Sequence, residues 1–231
     1  MRSVFVSFIL ASASCSAVSG ETPAKPVALF NGQDFAGWES VTPDKEPIAS
    51  ICHVKPDGVI AVDGKPIGFI STTVAYENYR LQAEWRWTDK PGNSGVLVHI
   101  SDGPMDRTWP VSFQIQTKNT RVGDLLPMSA AKFAEPLTPD LKTPTLNRLS
   151  PDSEKPVGEW NTCLIDCRGG IIEVTINGVA QNRVTKCAPS SGKIGFQLEG
   201  VPFEIRRVRL EPLKPAIDSS PQGGNPPARR F

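Results

Sequence analysis

The chain has 231 residues, and its 25 Lys and Arg against 24 Asp and Glu leave no charge surplus to steer it to nucleic acid or an acidic partner. Hydrophobic residues make up 39%, enough for a real core, and the length suits one large all-β domain. Nineteen Gly and twenty-two Pro argue against a helical bundle, because Gly costs helix entropy and Pro removes a backbone donor.

In chain order, residues 1–20 run from Arg2 through an apolar stretch, Val4 to Ala13, into a small-residue string ending at Gly20, the layout of a secretory signal peptide. The stretch is too short to span a bilayer, and no later segment is long and apolar enough to be a transmembrane helix. The expectation is export to the periplasm, cell envelope or exterior. A lipoprotein signal at Cys15 is the minority reading, because Ser12 stands where such signals have Leu. Loss of the leader takes Arg2 with it and leaves 24 basic residues against 24 acidic ones.

Weak strand candidates at Ala28 to Phe30, Gly58 to Val62 and Gly68 to Thr72 lead to a clear one. From Tyr79 to Trp87, Tyr79, Leu81, Ala83, Trp85 and Trp87 alternate with Arg80, Gln82, Glu84 and Arg86, a strand with one buried face. The same period of two marks Val96 to Ile100, Phe113 and Ile115, Ile172 to Ile176, and Ile194 to Leu198. Asn177-Gly178 between two such runs predicts a tight hairpin. Within EIRRVRL the parity breaks between Ile205 and Val208, which predicts a bulge. Ten or eleven short strands without a helical period predict an antiparallel sandwich. Leu125 to Pro156 follows neither period and is expected to be one long functional loop, a lid or rim. Lys214 to Phe231, rich in Pro, Gly and Ser, is expected to be a disordered tail. The expected domain is therefore 21–213.

After export Cys52, Cys163, Cys167 and Cys187 remain. Cys163 and Cys167 share one strand face and stand too far apart to bridge. A Cys167–Cys187 disulfide and buried free thiols are equally good readings.

Familiar catalytic motifs are absent: the two histidines, His53 and His99, form no zinc motif, and there is no nucleophile elbow, phosphate loop or dinucleotide fingerprint. A polar face remains. Ser112, Gln114, Gln116 and Lys118 line the outward side of one strand, and Lys193, Gln197 and Glu199 that of another. With Trp38 and Trp109 they offer the amides and flat apolar plates that sugar hydroxyls and rings need. The plainer reading is that every sandwich strand has a polar outer face. Alternation also puts His99 opposite Val96, Val98 and Ile100, outside the core, where an imidazole works as a base near neutral pH. Gln114, Gln116, His99 and Glu199 would also serve as ligands to a divalent ion, although their spacing does not demand one.

The phrases LFNGQDFAGWES, YRLQAEWRW, GNSGVLVHI, RTWPVSFQIQ followed by Gly123-Asp124, GEWNTCLIDCRGGIIEVTINGV and GKIGFQLEGVPFEIRRVRLEPL, in this order, resemble the 3-keto-disaccharide hydrolase family (3-keto-glucoside lyases and hydratases) from Val27 to Leu213. The resemblance implies a concanavalin A-like jelly-roll sandwich and a sugar already oxidised at C3. A C3 ketone acidifies the hydrogen on C2, so a modest base removes it, the C1 oxygen leaves by elimination, and water adds back. Asn93-Ser94-Gly95 matches a family turn, Glu84 and Arg86 match charged strand positions, and Gln116 matches a family glutamine. His99 falls at an often basic or polar position. Gln114 departs, standing where a glutamate is expected, and an amide cannot be a general base. The reading is thus an enzyme acting on 3-keto-glycosides with His99, Glu84 or Glu199 as base and Asn93, Arg86, Trp109, Gln114, Gln116, Lys118 and Gln197 holding the sugar. The alternative is a non-catalytic carbohydrate-binding module.

Overall fold

The computed structural model describes residues 25–101 and 109–215, so the expected leader and nearly all of the expected tail lie outside the described residues. The strands are β1 (Val27–Ala28), β2 (Trp38–Val41), β3 (Cys52–Val54), β4 (Ile60–Val62), β5 (Gly68–Thr72), β6 (Tyr79–Trp87), β7 (Gly95–Ile100), β8 (Ser112–Gln116), β9 (Leu125–Met128), β10 (Asn161–Arg168), β11 (Ile171–Ile176), β12 (Val179–Val184), β13 (Lys193–Leu198) and β14 (Phe203–Pro212). One antiparallel sheet runs β12-β11-β10-β6-β14-β4-β3 with β1 against β14, and the other runs β2-β5-β13-β7-β8-β9.

The inward-facing residues of both sheets make one core. Tyr79, Leu81, Ala83, Trp85 and Trp87 of β6 meet Val96, Val98, Phe113, Ile115, Ile194 and Phe196 from the smaller sheet. Trp85 and Trp87 pack edge to face at 5.6 Å. Each such side chain gives roughly 1.5–3 kcal/mol of burial, which is what holds the two sheets in register over one another. The predicted hairpin forms between β11 and β12: Asn177 and Gly178 take φ of 50° and 83°, a turn that suits the strand twist. The predicted bulge in β14 also forms. Arg207 takes φ of 51°, and the pairing with β6 shifts between Arg206 and Arg209.

Two expectations need correction. Leu125–Met128 is not loop but edge strand β9, paired to β8; its short apolar run, interrupted by Pro127, carries no clear period. The rest of that segment is a strap tied down at several points, through Leu125–Leu146 and Lys132–Ala188 bridges and the Leu149 N–H to Gln181 carbonyl bond. The four described cysteines are free and buried, so of the two readings the Cys167–Cys187 disulfide is not formed and the buried free thiols are. Burial pushes the Cys52, Cys163 and Cys187 thiols up to about 12, which leaves them inert at neutral pH.

Candidate functional site

A cleft of about 400 Å³ opens on the outer face of the six-stranded sheet. Alternation builds its floor. With Phe113 and Ile115 in the core, β8 turns Gln114 and Gln116 outward, and with Phe196 and Leu198 inward, β13 turns Gln197 outward. Strand β7 lies between them. It crosses under the Gln114 side chain at Gly95, where a Cβ would stand 2.5 Å from Gln114 Cγ; only a residue without a side chain lets the amide lie flat and reach across β7 to β13.

Gln114 Nε2 donates to Gln116 Oε1 at 3.1 Å and to Gln197 Oε1 at 3.0 Å. Gln116 Oε1 also accepts the Lys118 backbone N–H at 3.1 Å. The Ser94 hydroxyl donates to the Gln197 carbonyl and pins that strand to the turn before β7. Both Gln114 and Gln197 are nearly inaccessible, at 2% and 3% exposure, because walls rise around them.

The walls come from loops. Asn93 and Glu199 stand at one side, Trp109, Leu126 and Met128 at another, and Thr143 and Thr145 reach in from the strap. Among the described residues two carboxylates line the cleft, and they differ. Asp124 has both oxygens committed, one to Arg121 Nε at 2.8 Å and one to the Arg148 backbone N–H at 2.9 Å. Glu199 accepts from Asn93 Nδ2 through Oε2, and its Oε1 accepts nothing from the described residues. Burial pushes its carboxyl above the ordinary value, while the Lys118 charge and the Asn93 hydrogen bond pull it part of the way back.

Of the sequence-predicted residues, Asn93, Trp109, Gln114, Gln116, Lys118, Gln197 and Glu199 come together here. His99, Glu84 and Arg86 do not. The backbone at His99 takes φ of 53°, and the pairing with β13 gains an extra residue there. This bulge reverses the expected parity: His99 is 1% exposed between Tyr79 and Phe113, and Ile100 moves to the outer face with Leu97 and Phe69. Burial lowers the imidazole to about 4, despite a contact of 3.1 Å from Nδ1 to the Pro189 carbonyl. It is neither in the cleft nor a base at its mouth. The tentative metal-ligand set that included His99 is therefore not assembled.

Glu84 and Arg86 face outward on the other sheet. Glu84 takes Arg206 Nε at 2.7 Å and Arg207 at 3.0 Å; burial works against its charge, yet the two guanidiniums hold its carboxyl below the usual range. Arg86 pairs with Glu204 at 2.7 Å and lies over the Trp160 ring. Trp38 is core, stacked on Phe30 at 4.0 Å, and Lys193 pairs with Glu39 at 3.0 Å outside the cleft. Arg121, Asp124, Leu126, Met128, Thr143 and Thr145 were missed by strand patterning. Among them only Asp124, in the Gly123-Asp124 step of the family phrases, carries a signal in the sequence.

The sequence pattern of the 3-keto-alpha-glucoside-1,2-lyase-like domain matches residues 25–211. The chain belongs to this family. Membership makes it a carbohydrate-active domain. No curated protein matches the sequence. Among solved structures, the fold is similar to a putative glycosyl hydrolase from Parabacteroides distasonis, at 23% identity over 82% of this chain and 94% of that one, with a TM-score of 0.60. It is also similar to carbohydrate-binding module CBM66 from Bacillus subtilis (14% identity, 76% and 95% coverage, TM-score 0.52) and to SCLam, a non-specific endo-beta-1,3(4)-glucanase of family GH16 (13% identity, 84% and 91% coverage, TM-score 0.56). At such identities these likenesses show the jelly-roll sandwich fold and nothing of the chemistry.

Proposed function

We propose that this 3-keto-alpha-glucoside-1,2-lyase-like domain cleaves 3-keto-glycosides in the cleft, with Glu199 as the base, and that it works outside the cytoplasm after loss of its leader. The observation that carries the reading is Glu199 itself. It lines the cleft, its Oε1 accepts no hydrogen bond from the described residues, and its carboxyl is held above the ordinary range by burial, which is the condition of a useful base.

The steps balance without a strong nucleophile. Glu199 takes the proton from C2, and the C2–H electron pair passes to the C3 ketone as an enolate. The enolate collapses, C1–C2 becomes a double bond, and the C1–O bond breaks with its electrons on the departing oxygen. That oxygen leaves as an alcohol with a proton from the Glu199 carboxylic acid or from water. Water then adds across the double bond, giving net hydrolysis. Lys118 at the cleft mouth lies close enough to act on the Glu199 charge, and Trp109 offers a ring face for the sugar.

A second reading, a binding module without turnover, is favoured by one observation: the centre of the floor is the amide Gln114, which cannot carry a proton. Incubation of the mature domain with a 3-keto-disaccharide, following free sugar, separates the two. The enzyme reading expects release whose rate climbs with pH along a limb above an ordinary glutamate value. Sugar binding by calorimetry without any release leaves the binding module.

A further inference from the structure

The orientation of the three floor amides follows from one atom that cannot be turned round. The Lys118 backbone N–H is a donor only, so the Gln116 atom facing it at 3.1 Å is its oxygen. Gln114 approaches that same oxygen at 3.1 Å and must present a donor, its Nε2. The Gln197 atom 3.0 Å from this nitrogen must then be an acceptor, its Oε1. Each assignment forces the next. The Gln114 amide spends both N–H bonds on its neighbours, and the NH2 groups of Gln116 and Gln197, in the floor of the cleft, have no partner among the described residues.

We infer that Gln114 is a positioning residue that sets the polarity of the floor, so that Gln116 and Gln197 offer amide N–H donors to a carbonyl oxygen of the bound sugar. The inference rests on the cleft being the sugar site and deepens that reading. A ketone oxygen accepts from two amides and brings no hydrogen of its own to satisfy, whereas a hydroxyl in its place must also find an acceptor. The same donors gain strength as the oxygen becomes an enolate, since amides held in place by Gln114 need no solvent to reorganise around the new charge. A glutamate at 114 would undo this arrangement. It cannot donate to Gln116 Oε1, which the Lys118 N–H holds in place, and it would turn Gln197 so that its carbonyl faced the sugar. The amide at 114 is therefore the residue that this floor requires.

The test measures binding by calorimetry for two sugars without a leaving group at C1: anhydroglucitol and its 3-keto derivative. Neither is a substrate, so binding is read whether or not the protein turns over glycosides. The wild-type protein is expected to favour the keto sugar roughly ten-fold, the scale of one net hydrogen bond. In Gln197→Glu the inner oxygen still accepts from Gln114, while the cleft-facing donor becomes an acceptor, and the preference is expected to vanish or reverse. Gln114→Glu is expected to do the same, and Gln114→Ala to lose selectivity between the sugars. Thermal melting of each variant checks folding, and the ratio of the two affinities is a readout that a merely structural role would not move. Equal wild-type affinity for the two sugars, binding of neither, or an unchanged ratio in folded Gln197→Glu would overturn the inference. Keto preference without glycoside cleavage would uphold it and sink only the enzyme reading.

Discussion

The outer faces of the two sheets have nearly the same sequence signature, polar residues alternating with core residues, yet they are chemically unlike. On the larger sheet Glu84 holds Arg206 and Arg207, Glu204 holds Arg86 and Lys55, and Trp160 lies under the guanidiniums of Arg86 and Arg206 at 4.5 and 4.0 Å. Each of these two carboxylates is answered by two cations, and the aromatic plate is covered. On the smaller sheet the NH2 groups of Gln116 and Gln197 and an oxygen of Glu199 are left without partners among the described residues inside a cleft. Outward polarity does not distinguish a site from a solvated face; unspent bonding capacity does.

If that contrast is right, stability and sugar chemistry separate by region. The largest expected effect on stability is the one under acid, and it involves the core rather than the cleft. Because His99 falls from 6.5 to about 4 on folding, the unfolded chain takes up its proton first. Stability is then lost as pH drops from about 6.5 to about 4, by up to about 3 kcal/mol. Below that, Glu84 and Glu204, whose carboxyls are depressed in the folded state, add a further loss as they protonate. Denaturant melts of His99→Asn, a residue that tolerates the left-handed backbone, should show the slope between pH 6.5 and 4 flattened. An unchanged slope would remove His99 from the account.

Glu204→Gln leaves Arg86 and Lys55 without their anion and should cost about 1–2 kcal/mol, discounted because the cations are partly exposed, with sugar affinity unchanged. A loss of sugar binding at constant fold would break the contrast. Gly95→Ala acts in the opposite sense: its Cβ displaces Gln114, so sugar affinity should drop roughly ten-fold with a smaller change in melting. Intact binding in that variant would show that the floor tolerates a displaced Gln114.

Much of this contrast can be read from the chain. The period of two places Gln114, Gln116, Gln197 and Glu199 outward, and Asn177-Gly178 and the broken parity at Val208 announce a hairpin and a bulge that form as expected. Parity cannot show which outward face becomes a cleft, because Glu84 and Gln114 obey the same rule and differ only in the strands beside them and the loops above. His99 was misplaced by that rule, since a single left-handed residue inverts the alternation and nothing in GVLVHI marks it. Thr143 and Thr145 enter the cleft by tertiary anchoring of the strap, through contacts such as the Arg148 N–H to Asp124, which no local pattern encodes. The expected leader and the bulk of the tail fall outside the described residues.

The most direct measurement compares Glu199→Gln with Glu84→Gln for release of sugar from a 3-keto-disaccharide, each variant first shown to be folded. The account predicts that Glu199→Gln loses roughly 10²–10⁴-fold in turnover while still binding sugar, as removal of a general base should, and that Glu84→Gln turns over at the wild-type rate. Normal turnover by Glu199→Gln, or loss confined to Glu84→Gln, would contradict it.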